Sequence, residues 1–163
     1  MTAGAGAGSG RVRPMERRDI DCVAALWTAI AEHHSRLDPL FTPRPGADAE
    51  IRNLIAAQLR DRDAAIFVWD AGAGPEGFCT VRVDRAPPIL AEAERAEITD
   101  LGVREGRRRR GVGRALVGAA TDWISARGVA RVEVRVAAGN REGQAFWRAL
   151  GFGDLVDVLH RRL

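Results

Sequence analysis

The stretch Glu97-Ile98-Thr99-Asp100-Leu101-Gly102-Val103-Arg104-Glu105-Gly106-Arg107-Arg108-Arg109-Arg110-Gly111-Val112-Gly113-Arg114-Ala115-Leu116 reads as a strand that passes through an Arg/Gly turn straight into an amphipathic helix. Ile98 and Leu101 are three residues apart, so they cannot share a face of a regular strand, whose side chains alternate with period two. A bulge between them restores the phase. Gly111 and Gly113 let backbone N–H groups approach a ligand closely, and the start of the following helix adds partial positive charge. Both effects favour a phosphate, and the neighbouring arginines supply charge-assisted contacts to the same group.

Working outward, Arg11 to Pro14 reads as a first short strand. Asp19 is the expected cap of a helix whose apolar positions Val23, Leu26, Trp27 and Ile30 recur at three and four residues, fading near Leu37. Asp38 to Gly46, with Pro39, Pro43 and Pro45, reads as a loop. Asp48 opens a second helix with Ile51, Leu54, Ile55 and Leu59 on one face. Apolar runs at 64–69 and 77–83 flank a Gly/Pro stretch, as in an antiparallel hairpin, and Pro87 and Pro88 begin the connection to the Glu97 strand. Beyond the quoted stretch, Leu116, Ala120, Trp123 and Ile124 face inward on a helix that runs through Arg127. Val132, Val134 and Val136 then alternate with Arg131, Glu133 and Arg135 in a strand. Asn140 precedes a helix containing Ala145, Phe146, Ala149 and Leu150, which Gly151 stops, and a last strand is expected through Val156, Val158 and His160. Residues 1–10, rich in Gly and Ala, are the expected flexible leader, and 11–163 the domain.

A chain of 163 residues suits one domain able to bury roughly 68–70% of its unfolded surface. Hydrophobic residues at 46% and charged residues at 29% exclude a disordered or fibrous protein. Apolar stretches end well short of the ~18 residues that span a bilayer, and no secretory signal is evident, so no membrane partner is expected. Cys22 and Cys79 lie far apart, against both a disulfide framework and a cysteine-rich metal site, and a cytoplasmic location is expected. The formal charge is +3 and its cationic side is entirely Arg, a residue suited to planar contact with phosphate and carboxylate. A charge so modest gives no expectation of nucleic acid as a partner.

Three phosphate-binding patterns compete for the turn. A Walker-type loop needs Lys, and the chain has none. The dinucleotide fingerprint needs a third glycine where Leu116 stands. The third is an acyl-CoA pyrophosphate site. Here Arg108, Gly111 and Gly113 fill every fixed position of the pattern Gln/Arg-x-x-Gly-x-Gly/Ala. Asn140 followed by Ala145-Phe146-Trp147-Arg148-Ala149-Leu150-Gly151-Phe152 matches a second signature, and with both in place the chain resembles the Gcn5-related N-acetyltransferase (GNAT) superfamily over residues 11–163.

That resemblance implies an α/β fold with a mixed, mostly antiparallel sheet and flanking helices, splayed between the fourth and fifth strands. It also implies direct transfer of an acetyl group from acetyl-CoA, a cosubstrate with no metal, to an amine of a small molecule or peptide, and it allows a homodimer. By the same resemblance the backbone of Leu101, Gly102 and Val103 would pair with the pantetheine arm. Arg108, Arg109, Arg110, Gly111, Val112, Gly113 and Arg114 would wrap the pyrophosphate, and Asn140 and Trp147 would complete the cofactor side. Glu97 is the expected catalytic base, with a raised pKa or a relaying water, and Asp100 is its reserve. The chain departs from the family in having Trp147 where a Tyr often serves as the acid. It contains no Tyr, so a bound water would have to protonate a thiolate whose parent thiol titrates near ~8.5. A non-catalytic acyl-CoA-binding regulatory domain is the alternative. Asn140 also reads as a plain helix cap and Trp147 as plain core. His33, His34, Phe41 and Arg44 are weaker candidates for the acceptor side.

Overall fold

A computed structural model of the chain describes residues 10–163 other than 86, 88 and 162. The expected leader therefore lies outside the described residues apart from Gly10, as does Pro88. The strands are β1 (Arg11–Pro14), β2 (Ala64–Asp70), β3 (Pro75–Arg85), β4 (Glu94–Val103) and β5 (Val132–Val134), and the helices are α1 (Ile20–Leu37), α2 (Asp48–Gln58), α3 (Val112–Ser125) and α4 (Arg141–Ala149). The strands form one sheet in the order β1-β2-β3-β4-β5. The first three pairings are antiparallel and β4 with β5 is parallel.

Both faces of this sheet are covered, which is why β2 and β3 read as near-continuous apolar runs rather than as alternating ones. Phe67 and Trp69 point to the face that buries Leu116, Ala120 and Ile124 of α3 with Trp147 of α4. Ile66 and Val68 point to the other, where Val23 and Leu26 of α1 meet Ile51 and Ile55 of α2. At the edge, Arg13 links β1 to the turn before α1: its guanidinium donates to Asp19 at 2.7 and 3.0 Å and to Asp70 at 2.8 Å.

The expected bulge is present. Thr80 pairs with Asp100 while Val81 pairs with Ile98, so Thr99 is the extra residue. Its consequence is a change of face: Ala96 and Ile98 enter the α3 core, whereas Glu97 and Asp100 are brought together on the α1 side. The splay is present too. β5 pairs with β4 only over Ala96 to Ile98, so among the described residues β4 from Thr99 to Val103 has β3 on one flank and no strand on the other.

Four expectations require correction. No strand forms at Val156, Val158 and His160; Val156 and Val158 are 77% and 76% exposed. Leu155 and Leu159 interleave with these valines, so neither face of the segment is consistently polar, and no strand edge pairs with it. β5 likewise ends at Val134, with Val136 packed against the core outside the ladder. Leu54 lies at the rim of the α2 stripe and is exposed. Asp19 makes no side-chain cap to α1; its carboxylate instead takes the Glu16 N–H at 2.8 Å and the Arg13 guanidinium.

Candidate acyl-CoA site and acceptor face

The turn between β4 and α3 leaves its amides open. Arg107 and Arg108 donate backwards, to Arg104 and Glu105, and the next bonded amide is Ala115, which donates to Gly111. Among the described residues the N–H groups from Arg109 to Arg114 have no partner in the protein. A helix leaves its first N–H groups orphaned in any case, and here no side chain caps them, while the turn adds those of Arg109 and Arg110. Arg109 (φ 61°) and Gly111 (φ 81°) both adopt left-handed backbone, which turns successive amides toward one side, an arrangement suited to an anion. A Cβ on Gly111 would meet nothing within 4 Å, so glycine there serves the conformation.

Gly113 serves proximity. A Cβ at that position would lie 3.3 Å from Phe146 of α4 and 3.9 Å from Leu101 of β4. The first turn of α3 thus sits at the mouth of the splay, between the strand and the helix that form its two arms. Arg108 folds back and donates through Nε to the Val103 carbonyl at 3.2 Å; Arg109, Arg110 and Arg114 are exposed around the turn, and Val112 is buried beneath it.

On the strand arm Leu101 and Val103 pack toward α3. Gly102 has a different role: a Cβ there would lie 2.3 Å from Ile30 of α1 and 2.8 Å from Phe78, so its lack of a side chain lets α1 press against β4. On the other arm, Asn140 accepts from the Gly143 N–H at 2.9 Å and caps α4. A Cβ on Gly143 would come within 2.6 Å of the Asn140 amide nitrogen, so the cap and this glycine are fitted to each other. Leu150-Gly151-Phe152 ends α4: Gly151 (φ 92°) donates to Arg148 and Phe152 to Trp147, a Schellman termination. Trp147 is wedged edge-on between Phe146 and Phe152, each ring 5.1 Å away, so it shapes the wall from within the core.

A second group of polar side chains lies on the α1 side of the bulge. Asp100 accepts from the Trp27 indole N–H at 2.9 Å and from the Thr99 hydroxyl at 2.8 Å. Burial pushes its carboxyl above the ordinary range, although these two bonds and nearby His34 pull the other way. His34 is pushed down, first by burial and then by His33. Its ring packs against Phe41, with centroids 5.8 Å apart. Arg44 is engaged elsewhere, with exposed Glu50.

Glu97 is surrounded differently. Its carboxylate is buried, and its two oxygens bind Arg82 at 3.0 Å and Arg135 at 3.3 Å. These contacts begin an alternating chain of charges across β3, β4 and β5: Arg135, Glu97, Arg82, Asp84, Arg95, Glu133, Arg131 and Glu92. The periodicity of the strands places Arg82 and Arg135 on this face, but only the assembled sheet shows that they share Glu97. Among the described residues no cluster of His, Cys, Asp and Glu that could hold a metal ion forms, and no helix is long and apolar enough to cross a membrane.

Comparison with known proteins agrees with this geometry. The family model described as Acetyltransferase (GNAT) family matches residues 27–152, which span Trp27, the bulged strand with Asp100, the glycine turn and α4. Over 114 residues the chain is 42% identical to the mycothiol acetyltransferase of Clavibacter michiganensis subsp. michiganensis (strain NCPPB 382), a stretch covering 69% of this chain and 35% of that protein. The chain thus matches about a third of the length of that relative. Among solved structures, a tetramutant of the BH1408 protein from Bacillus halodurans superposes with a TM-score of 0.83 at 22% identity, covering 93% of this chain and 99% of that one. The aminoglycoside N-acetyltransferase AAC(6')-Iy in complex with CoA gives 0.76 at 18% identity, covering 100% and 99%. At such identities these structures speak for the fold alone, whereas the family model spans most of the sequence, and the chain belongs to the GNAT acetyltransferase family.

Proposed function

We propose that the chain transfers an acetyl group from acetyl-CoA directly to a primary amine of a small molecule or peptide, in the cytoplasm, where its free thiols Cys22 and Cys79 are at home. The observation that carries this reading is the run of unpartnered amides from Arg109 to Arg114 at the mouth of the splay. Those amides, with Arg108, Arg109, Arg110 and Arg114, supply donors for the pyrophosphate of the cosubstrate. The unpaired flank of β4 over Leu101 to Val103 offers a backbone edge to the pantetheine arm, and Asn140 and Trp147 set the opposite wall.

Acetyl-CoA brings an activated thioester. The amine nitrogen bonds to its carbonyl carbon, the carbon–sulfur bond breaks, the nitrogen gives up a proton and the thiolate leaves with the electron pair. The chain contributes position and a proton acceptor. Asp100 suits the second task better than Glu97, because its carboxyl titrates at raised pH and is bound only by the neutral donors Trp27 and Thr99, whereas both Glu97 oxygens are paired with guanidinium groups. Glu97 is a positioning residue for Arg82 and Arg135. A water supplies the thiolate's proton in place of a tyrosine.

The test is thiol release from acetyl-CoA across a panel of polyamines, aminoglycosides, amino acids and peptide N-termini. Amine-dependent release is the expected result. Silence across the panel together with tight CoA binding would overturn the transfer reading in favour of a regulatory acyl-CoA-binding domain.

A further inference from the structure

We propose that the acceptor amine carries a carboxylate, and that Arg135 binds it. This rests on the acetyl-transfer reading and adds the class of acceptor. An amine delivered to Asp100 enters on the α1 side of β4, so the charges around that point decide which molecules fit. An acceptor bearing many positive charges calls for surplus carboxylates there. The structure provides no such surplus. The carboxylate nearest along the strand, Glu97, is saturated: Arg82 takes one oxygen and Arg135 the other. Asp84 pairs with Arg82 in turn, and along the whole chain four arginines balance four carboxylates.

Arg135 is the end of the alternating chain, and it stands just past β5 where the strands part. Only its Nε is engaged, at 3.3 Å from Glu97, and its side chain is 75% exposed while that of Glu97 is 8% exposed. Among the described residues its two terminal nitrogens have no partner. The ion pair with the buried carboxylate keeps the guanidinium beside β4, with its remaining donors open to a ligand. A planar guanidinium fork matches a carboxylate with two parallel hydrogen bonds. Arg82, on the other oxygen of Glu97, is itself shared with Asp84, which leaves Arg135 as the arginine of this group with open donors. The amine would then lie at Asp100 and the carboxylate at Arg135, on the same face of β4. Amino acids and short peptides with a free C-terminus have this chemistry.

The experiment uses matched acceptors that differ only at the carboxyl: dipeptides with a free or an amidated C-terminus. Each is assayed for thiol release from acetyl-CoA and titrated calorimetrically into the CoA-bound protein. The free-acid form should be preferred by about 10- to 100-fold in kcat/KM and in affinity. In Arg135→Gln, whose side chain is exposed and whose fold is checked by an unchanged melting temperature, that ratio should fall toward one. Equal handling of the two forms by the unaltered protein would overturn the proposal, as would an unchanged ratio in the variant. Carboxylate-dependent binding without thiol release would keep the Arg135 site and remove the transfer reading. Release that is indifferent to the carboxyl would do the reverse.

Discussion

The indole N–H of Trp27 donates to the Asp100 carboxylate at 2.9 Å across 73 residues of sequence, fastening the middle of α1 to the bulged strand beside the splay. The bond aims one carboxylate oxygen and stabilises the charged form of a group that burial pushes toward neutrality. Asp100→Asn keeps an oxygen for the indole, turns an NH2 toward the Thr99 hydroxyl, which can accept as well as donate, and removes the proton acceptor. It should lower kcat by ~10² to 10⁴ in a thiol-release assay at neutral pH. Glu97→Gln should cost less in kcat and change KM instead, because it acts through Arg135.

The same substitution has a predictable effect on stability. Because the folded-state pKa of Asp100 lies above its unfolded value, the folded protein holds this proton more tightly. The charged form is therefore a liability that grows as pH rises through the interval between the two values. Asp100→Asn removes that liability. Its melting temperature at pH 7 should equal or exceed that of the unaltered protein, a loss of activity without a loss of stability.

Trp27→Phe tests the bond from the other side. The indole lowers the Asp100 pKa, so its removal should raise that pKa further. A base must be deprotonated to act, and the acid limb of the kcat/KM profile should move to higher pH. A profile that does not move would separate Trp27 from the titration of the site.

Gly102 is a point where α1 presses on the sheet. Ala at this position would place a Cβ at 2.3 Å from Ile30 Cδ1 and 2.8 Å from the Phe78 ring. Overpacking of this kind costs about 1–3 kcal/mol, read as a lower denaturant midpoint. Because α1 carries Trp27, kcat should fall with it.

Arg13 and Asp19 form the main electrostatic tie outside the site, with side chains 12% and 5% exposed. The Arg13 guanidinium holds the Asp19 carboxyl below its ordinary range against the opposing effect of burial. For a depressed acid the stabilisation is present above the unfolded pKa and is lost as pH falls through the folded value. Asp19→Asn, which leaves Arg13 paired with Asp70, should destabilise by roughly 1.5–3 kcal/mol at neutral pH. The difference from the unaltered protein should vanish in acid unfolding curves at low pH.

Local spacing carried much of this architecture. The three-residue gap between Ile98 and Leu101 requires a bulge, and Thr99 supplies it; the glycines of the turn indicate an anion site, and Gly151 stops α4 as its position suggests. What spacing does not carry is partnership at a distance. Nothing local says that Trp27 reaches Asp100, or that Arg82 and Arg135 converge on Glu97, because strand periodicity gives the face of a side chain and not its neighbours on other elements. The segment around Val156 fails for the same reason: apolar residues at alternate positions make a strand only when another edge accepts its hydrogen bonds.

Calorimetric titration of acetyl-CoA into the unaltered protein and Gly113→Asp measures directly whether the amides and arginines from Arg108 to Arg114 hold acetyl-CoA, as proposed. Aspartate in the first turn of α3 puts a carboxylate among the open amides and a side chain against Phe146. Saturable binding in the unaltered protein and its loss in the variant, with circular dichroism showing both folded, is the predicted result. Equal affinity in the two proteins would contradict the account.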